Sequence, residues 1–375
     1  MNLPAEPKKK LMFVILSLSG GGAERVMLHL ITHLDKDKYD IRLVIFEDIC
    51  DYENELPDYV ALICLDKQKR IDFIKLIFKL RRAILDFGPN TIISFDNYVN
   101  MITVIAKLLT GGKNKVILSE RNNPRENLCK ERLSWLKKWL MRITYRKANC
   151  ILSVSNSIKY ILEKDFNIPS SKVYTIYNPI VKDNILKKAQ ENINHPFFEI
   201  KSAQVIISAG RLIQIKRYDK LLDAFAILRK KMINSYLIIL GKGQMLEELQ
   251  NRASQLKISN YVSFVGFQPN PYAWISNAQL FVLSSDSEGF PNVLIEAMTC
   301  GTPVVSMDCI SGPAEIITNN KNGILVPMGD EKALAEAMLY VLSNERLRED
   351  FTREGKRRVE DFRIEEIVKK YEQFF

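Results

Sequence analysis

Glu288 and Glu296 bracket the segment Glu288-Gly289-Phe290-Pro291-Asn292-Val293-Leu294-Ile295-Glu296, which follows an apolar run ending at Leu283. Pro suits the first turn of a helix, where its missing N–H costs nothing. The segment therefore predicts a loop that opens into a helix, whose first amides attract anionic or oxygen-rich ligands. Glu288 stands just ahead of that helix and Glu296 about one and a half turns inside it. One carboxylate can grip one part of an elongated polyhydroxy ligand and the other a second part. Two solvated glutamates in an ordinary strand–loop–helix are the alternative this spacing leaves open.

Two further loops carry matching chemistry. Ala209-Gly210-Arg211-Leu212-Ile213-Gln214-Ile215-Lys216 follows an apolar run. Arg211 offers a planar fork suited to phosphate, and Lys216 a point charge on a flexible stem. Together they can neutralise a diphosphate without a metal; two surface cations are the bland alternative. Ser19-Gly20-Gly21-Gly22-Ala23-Glu24-Arg25 follows the first apolar run and opens a helical pattern. Its glycines permit close backbone approach and its helix N-terminus favours anions. It matches neither Gly-x-Gly-x-x-Gly nor a Walker loop. Asp35-Lys36-Asp37 reads as a solvated turn, and His29 and His33, one helical turn apart, as a surface or packing pair. No carboxylate–His cluster has metal-ligand spacing, so no metal site is expected.

Those loops must be held by elements, and the chain alternates β-rich apolar runs with helical patterns. Expected strands are Leu11–Leu16, Ile41–Phe46, Thr91–Phe95, Val116–Ser119, Cys150–Val154 and Val173–Tyr177. Helices are expected over Ala23–Leu34, Phe73–Leu85 and Met101–Leu109. The alternation breaks at Asn178-Pro179 and restarts with strands at Val205–Ala209, Leu237–Leu240, Val262–Val265, Leu280–Ser284 and Val304–Ser306. Helices near Tyr218–Arg229 and Met245–Leu256 lie between them. This is the βαβ signature of parallel sheets covered on both faces. The expected fold class is α/β, with two doubly wound Rossmann-like domains facing across a cleft. The expected boundaries are 1–178, a linker over 179–200, 201–357, and a C-terminal helix over 358–375. Ligands of such sheets sit outside the carboxyl ends of the strands, where the three loops fall.

The 375 residues, 47% hydrophobic, suit a two-domain globular protein. No apolar run approaches the roughly 20 residues that span a bilayer. The apolar run after Lys8-Lys9-Lys10 ends in glycines rather than a cleavage site, so a buried first strand is expected rather than a signal peptide. Six Cys without a Cys-x-x-Cys pair read as buried thiols of a cytoplasmic protein. The net charge of +10 is lopsided: residues 1–177 hold 29 Lys/Arg against 20 Asp/Glu, and residues 178–375 hold 25 against 24. A basic first half implies an anionic partner. Lys67 to Arg82 contains Lys67, Lys69, Arg70, Lys75, Lys79, Arg81 and Arg82, with Lys75, Lys79 and Arg82 on one helical face beside apolar Phe73, Ile74, Ile77 and Phe78. Arg132 to Lys147 mixes Lys137, Lys138, Arg142, Arg146 and Lys147 with Trp135 and Trp139. Basic amphipathic helices with Trp lie on anionic membranes.

Jointly, the Glu288–Glu296 segment, the Gly210-Arg211…Lys216 loop, the Gly20-Gly21-Gly22-Ala23-Glu24-Arg25 start and Asn322-Gly323-Ile324-Leu325-Val326 resemble the retaining glycosyltransferases of family 4, which have the GT-B fold. The resemblance covers nearly the whole chain. Within the family it is most similar to enzymes that extend polyprenyl-diphosphate-linked oligosaccharides at the cytoplasmic face of bacterial membranes, N-acetylgalactosamine transferases among them. It implies a nucleotide-sugar co-substrate, UDP-linked, with no other cofactor and no metal. It implies that Arg211 and Lys216 bind the donor diphosphate, that Glu288 contacts the transferred sugar and that Glu296 holds the ribose hydroxyls. Backbone amides over Phe290, Pro291, Asn292 and Val293 would face the donor, Gly21 and Gly22 would let the first domain close over it, and the C-terminal helix over 358–375 would cross back to the first domain. Where many relatives carry an active-site His, this chain reads Ser119-Glu120-Arg121-Asn122. Glu120 or Arg121 then becomes the candidate for sugar or acceptor contact. Lys75, Lys79 and Arg82 become candidates for membrane or carrier phosphate, in a peripheral protein at the inner face of the plasma membrane. The resemblance implies as partners a nucleotide sugar, a lipid-linked glycan acceptor and an anionic membrane surface, and no nucleic acid. Two readings compete: a soluble glycogen- or disaccharide-synthase type, and a non-enzymatic basic membrane- or nucleic-acid-binding protein. The latter leaves the Glu pair, Arg211 and Lys216 without a task.

Overall fold

The computed structural model describes residues 7–19, 21–50, 55–68, 72–125 and 134–375. The chain divides into two compact units, Met1–Pro179 with Ile364–Phe375, and Ile180–Arg363.

The first unit is built on a seven-stranded sheet of order β3-β2-β1-β4-β5-β6-β7. Its strands are β1 (Lys9–Ile15), β2 (Tyr39–Ile45), β3 (Ala61–Cys64), β4 (Thr91–Phe95), β5 (Lys115–Glu120), β6 (Cys150–Ser153) and β7 (Val173–Thr175). Every pairing is parallel. Leu11 to Ile15 in central β1 are fully buried, as an apolar run covered on both faces requires. Strand β3 was not legible: it is an edge strand with mostly exposed residues, so burial leaves little pattern on it. Helices Gly22–His33, Phe73–Phe87, Asn97–Thr110 and Ser134–Lys147 connect the strands.

The second unit carries a six-stranded sheet of order β10-β9-β8-β11-β12-β13. Its strands are β8 (Gln204–Ala209), β9 (Ser235–Leu240), β10 (Val262–Gly266), β11 (Leu280–Leu283), β12 (Val304–Asp308) and β13 (Ile324–Pro327). All pairings are again parallel. The order reverses between β1 and β4 in one sheet and between β8 and β11 in the other. These are the switch points at which open α/β sheets bind ligands.

The 179–200 stretch differs from the expected linker. It forms helix Lys182–Ala189 and the short helix Pro196–Glu199, and both belong to the second unit. Asn270 Nδ2 donates to Lys188 O at 2.8 Å and Ser276 Oγ to Ala189 O at 3.0 Å. The His195 ring stacks edge-on against Trp274 with centroids 5.6 Å apart. Only a few apolar residues, Ile185 buried among them, anchor this polar stretch, so its composition hides its packing. At the other end, helix Glu345–Val359 packs in the second unit, and the final helix Ile364–Glu372 belongs to the first.

Candidate active site

The turn after β8 is shaped by backbone crowding. A Cβ on Gly241, whose φ is +138°, would stand 1.9 Å from the Gly210 carbonyl oxygen, and one on Gly243 2.3 Å from that of Leu212. Only glycines let the β9 loop lie this close. Hydrogen bonds from Gly210 N to Leu240 O (2.9 Å) and Leu212 N to Lys242 O (3.0 Å) fasten the turn. The chain then forms a 3-10 turn, Gln214–Lys216, which presents the Lys216 side chain. Arg211 is exposed.

Across the switch point, the loop after β11 meets this turn. Ser284 Oγ donates to the Lys216 carbonyl at 2.9 Å, and Asp286 N to the Ile215 carbonyl at 2.9 Å. Lys216 Nζ donates to Glu288 Oε1 at 2.6 Å, and Ser285 Oγ donates to the same oxygen at 2.6 Å. Both side chains are mostly shielded from water, which strengthens a charge-assisted bond. Ser311 Oγ donates to the Glu288 carbonyl. Gly312, at φ +96°, lies so close to Pro291 that a Cβ would stand 2.4 Å from its ring. Pro291 sits at the N-cap of helix Asn292–Cys300, one position earlier than the first turn expected for it. Asn292 and Val293 open the helix, and Glu296 lies half-buried a turn further on. The Phe290 ring turns into the core, edge-on to Phe362 at 5.6 Å, so only its backbone can face a ligand. Burial, aided by Glu296, pushes the Cys300 thiol up to about 12, and burial, aided by Glu288, does the same to Cys309. Neither thiol is a nucleophile at neutral pH.

At the strand ends of the first sheet, Gly21 caps helix Gly22–His33, while Gly20 lies outside the described residues. Glu120 is 0% exposed, and Tyr145 Oη donates to its carboxylate. Asn100 Nδ2 donates in turn to Tyr145 Oη at 3.0 Å, and Ser94 Oγ to Asn100 Oδ1 at 2.6 Å. Burial raises the Glu120 pKa from 4.5 to about 8 against the pull of the Tyr145 hydrogen bond, with Asp96 raising it further. As folded, the Glu120 side chain is buried against the helix layer rather than open at the strand-end edge. Arg121 is also buried, its guanidinium 4.6 Å from the Phe95 ring centroid and donating to Tyr371 Oη at 3.5 Å. The more open polar groups at this edge are Asn122 and Asp96, joined by a 3.0 Å hydrogen bond, with Asp96 at φ +72°.

Family models match both halves: Glycosyltransferase Family 4 over residues 20–184 and Glycosyl transferases group 1 over residues 190–358. The chain is 31% identical over 360 residues to the Campylobacter jejuni N-acetylgalactosamine-N,N'-diacetylbacillosaminyl-diphospho-undecaprenol 4-alpha-N-acetylgalactosaminyltransferase, covering 94% of this chain and 96% of that one. The chain belongs to glycosyltransferase family 4. A second C. jejuni relative of the transferase, the GalNAc-alpha-(1->4)-GalNAc-alpha-(1->3)-diNAcBac-PP-undecaprenol alpha-1,4-N-acetyl-D-galactosaminyltransferase, is 29% identical, with 96% and 97% of the two chains covered. Among solved structures, Anabaena HepE in complex with UDP superposes with a TM-score of 0.82 at 18% identity, covering 97% of this chain and 98% of that one. The lipopolysaccharide outer core galactosyltransferase WaaB, in its apo form, gives 0.77 at 21% identity over the same shares. The transferase thus has the GT-B fold of these enzymes.

The cations singled out on helix Phe73–Phe87 of this glycosyltransferase, Lys75, Lys79 and Arg82, are all exposed; Lys75 lies 4.0 Å from Asp72 and Arg82 3.8 Å from Asp86, while Lys79 Nζ donates to the Leu65 carbonyl at 2.5 Å. All three expected cations are thus exposed residues of one helix, each with a partner on the protein. Lys69, Arg70 and Arg132 lie outside the described residues. Ile74 and Phe78 stand exposed beside Lys75, and Trp135 (69%) and Trp139 (55%) stand exposed on helix Ser134–Lys147. Sequence reasoning did not find Ser285, Ser311, Gly312, Gly241 and Gly243, which build the site by touching Lys216, Glu288 or their loops. All but Ser285, which lies three residues before Glu288, act on a loop remote in sequence, and no local pattern marks them.

Proposed function

We propose that this glycosyltransferase moves a hexose or N-acetylhexosamine, N-acetylgalactosamine being the first choice, from a UDP-sugar to a polyprenyl-diphosphate-linked glycan, with retention and without a metal. The Lys216–Glu288 pair at the β8/β11 switch point carries this reading. The UDP held by HepE and the diphospho-undecaprenol acceptors in the names of the C. jejuni relatives support the donor and acceptor classes.

In this reading Lys216 and Arg211 bind the donor diphosphate. As the sugar C1–O bond breaks, its electron pair stays on the phosphate oxygen, and the two cations stabilise that charge. The acceptor hydroxyl bonds to C1 on the same face and its proton passes to the departing phosphate, so UDP leaves as the glycoside forms. Glu288 contacts the transferred sugar, Glu296 holds the ribose hydroxyls, and the amides around Asn292 and Val293 face the donor. Among the described residues, no group of three or more His, Cys, Asp or Glu is placed to hold a metal ion. No described helix is long and apolar enough to cross a membrane. Exposed Trp135, Trp139, Ile74 and Phe78 beside Lys75 and Arg82 favour peripheral attachment to an anionic bilayer over the soluble-synthase alternative.

The test is turnover of a panel of UDP- and GDP-sugars by the purified chain in EDTA, with polyprenyl-diphosphate glycans as acceptors. UDP release from one donor, stimulated by the lipid-linked acceptor and with an α-linked product, is expected. Lys216→Ala and Glu288→Ala should each lower kcat about 100-fold or more, as loss of a preorganised charge does. Full activity of both variants sinks the site, and loss of turnover in EDTA sinks metal independence.

A further inference from the structure

Next to Lys216 stands Arg217, which the donor-binding roles above do not use. Its backbone is left-handed, with φ +49° and ψ +43°. Glycine adopts that conformation at no steric cost, and an arginine there is strained. The side chain is engaged at every nitrogen. Nε donates to Asp219 Oδ1 at 3.0 Å, Nη2 to Asp219 Oδ2 at 2.9 Å, and Nη1 to Asp286 Oδ2 at 2.8 Å. Adjacent cations thus grip two carboxylates of one loop: Lys216 holds Glu288 and Arg217 holds Asp286. Asp219 lies in the first turn of helix Tyr218–Lys231, so the fork ties that helix, the Gln214–Lys216 turn and the β11 loop together. The arginine is only 20% exposed at its side chain, and a planar fork is the geometry for bridging two carboxylates.

We propose that Arg217 is a positioning residue: it clamps the turn that carries Lys216 to the loop that carries Glu288, and so fixes the Lys216 ammonium where the donor diphosphate must be met. The proposal rests on the donor-site reading above. Lysine, with one ammonium in place of a fork, keeps the charge and loses the bridge. Asp286→Asn keeps the shape of the β11 loop and removes the charge that Arg217 holds.

The test is a double-mutant cycle on the full chain, reading kcat, donor KM and melting temperature for Lys216→Ala, Arg217→Gln, Arg217→Lys, Asp286→Asn and their pairs. Arg217→Gln and Asp286→Asn should each lower kcat about 10- to 100-fold, the range for losing a hydrogen bond to a charged group. Arg217→Lys should fall between them and the wild type. In the Lys216→Ala background, Arg217→Gln should cost less than about threefold more, because the group it positions is gone. Pairing Arg217→Gln with Asp286→Asn should be no worse than either alone. Losses that multiply with Lys216→Ala, or wild-type kcat in Arg217→Gln, overturn the clamp. Should Arg217→Gln fail to fold, the cycle of Asp286→Asn with Lys216→Ala decides by the same criterion. A fully active Lys216→Ala instead overturns the donor-site reading itself.

Discussion

Glu120 shows how much of a residue's setting lies outside its neighbours in the chain. The family resemblance made it a candidate for substrate contact, and in the fold its carboxylate meets Tyr145, 25 residues on. Because burial raises its pKa from 4.5 to about 8, the folded state keeps a proton that the unfolded chain has already lost. The sign follows: below pH 4.5 both states are protonated and Glu120 costs nothing by ionisation. Between pH 4.5 and about 8 the cost to stability grows, and above 8 it is constant. Asp96 adds to that cost, while the Tyr145 hydroxyl opposes it. Glu120→Gln is neutral throughout and can still accept from Tyr145. Its melting temperature relative to the wild type should therefore rise between pH 5 and pH 8. A difference that stays flat with pH means the carboxyl ionises normally in the folded chain. The Lys216–Glu288 pair was better placed in advance, because each residue lies at a strand end and only their meeting across 72 residues of chain was hidden.

At the scale of elements, the parallel strands were legible because they are buried on both faces and read as continuous apolar runs. Thr91–Phe95 was found to the residue, and β1, β2 and β5 to within about two residues at each end. Edge strand β3 and the short β13 were missed: β3 is mostly exposed, and β13, although it buries Ile324 and Val326, is four residues long and too short to show a period. The C-terminal helix is a different case: its helical pattern was plain from the residues, whereas its return to the first unit was implied only by the family resemblance. It buries Ile364, Ile367, Val368 and Tyr371, and Tyr39 donates to Glu372 at 3.1 Å. Beyond the helix, the Phe375 ring lies edge-on to Tyr39 at 5.8 Å, and the Phe374 ring lies 4.9 Å from Tyr174. At about 1.5–3 kcal/mol for each large buried side chain, this is a major share of the first unit's stability. Removing residues 364–375 should lower the first unit's unfolding free energy by several kcal/mol, read as a lower denaturant midpoint, or unfold it. Tyr371→Phe, which removes only the acceptor for Arg121, should cost about 1–3 kcal/mol. A truncation as stable as the full chain in urea would show that this packing carries no weight.

Across the whole molecule the charge is divided as sharply as the fold, with the excess of Lys/Arg in residues 1–177 and near balance in the rest. A protein that only needed solubility would spread its charge; concentration in one unit builds a field toward one kind of surface. The same unit exposes Trp135, Trp139, Ile74 and Phe78, apolar groups that a solvated face does not need. Electrostatic attraction and apolar insertion respond differently to salt, so the two can be separated on vesicles. Wild-type chain should co-sediment with vesicles rich in anionic lipid and less with neutral ones. Lys75→Glu with Arg82→Glu should weaken that binding by about 30-fold, taking about 1 kcal/mol for each cation lost. The double charge reversal should reduce the salt dependence and leave a residual affinity. Trp135→Ala with Trp139→Ala should do the reverse, losing the residual while keeping the salt dependence. Equal binding to neutral and anionic vesicles would assign attachment to the apolar groups alone. No binding to either would leave the basic unit to meet the acceptor's diphosphate rather than the bilayer.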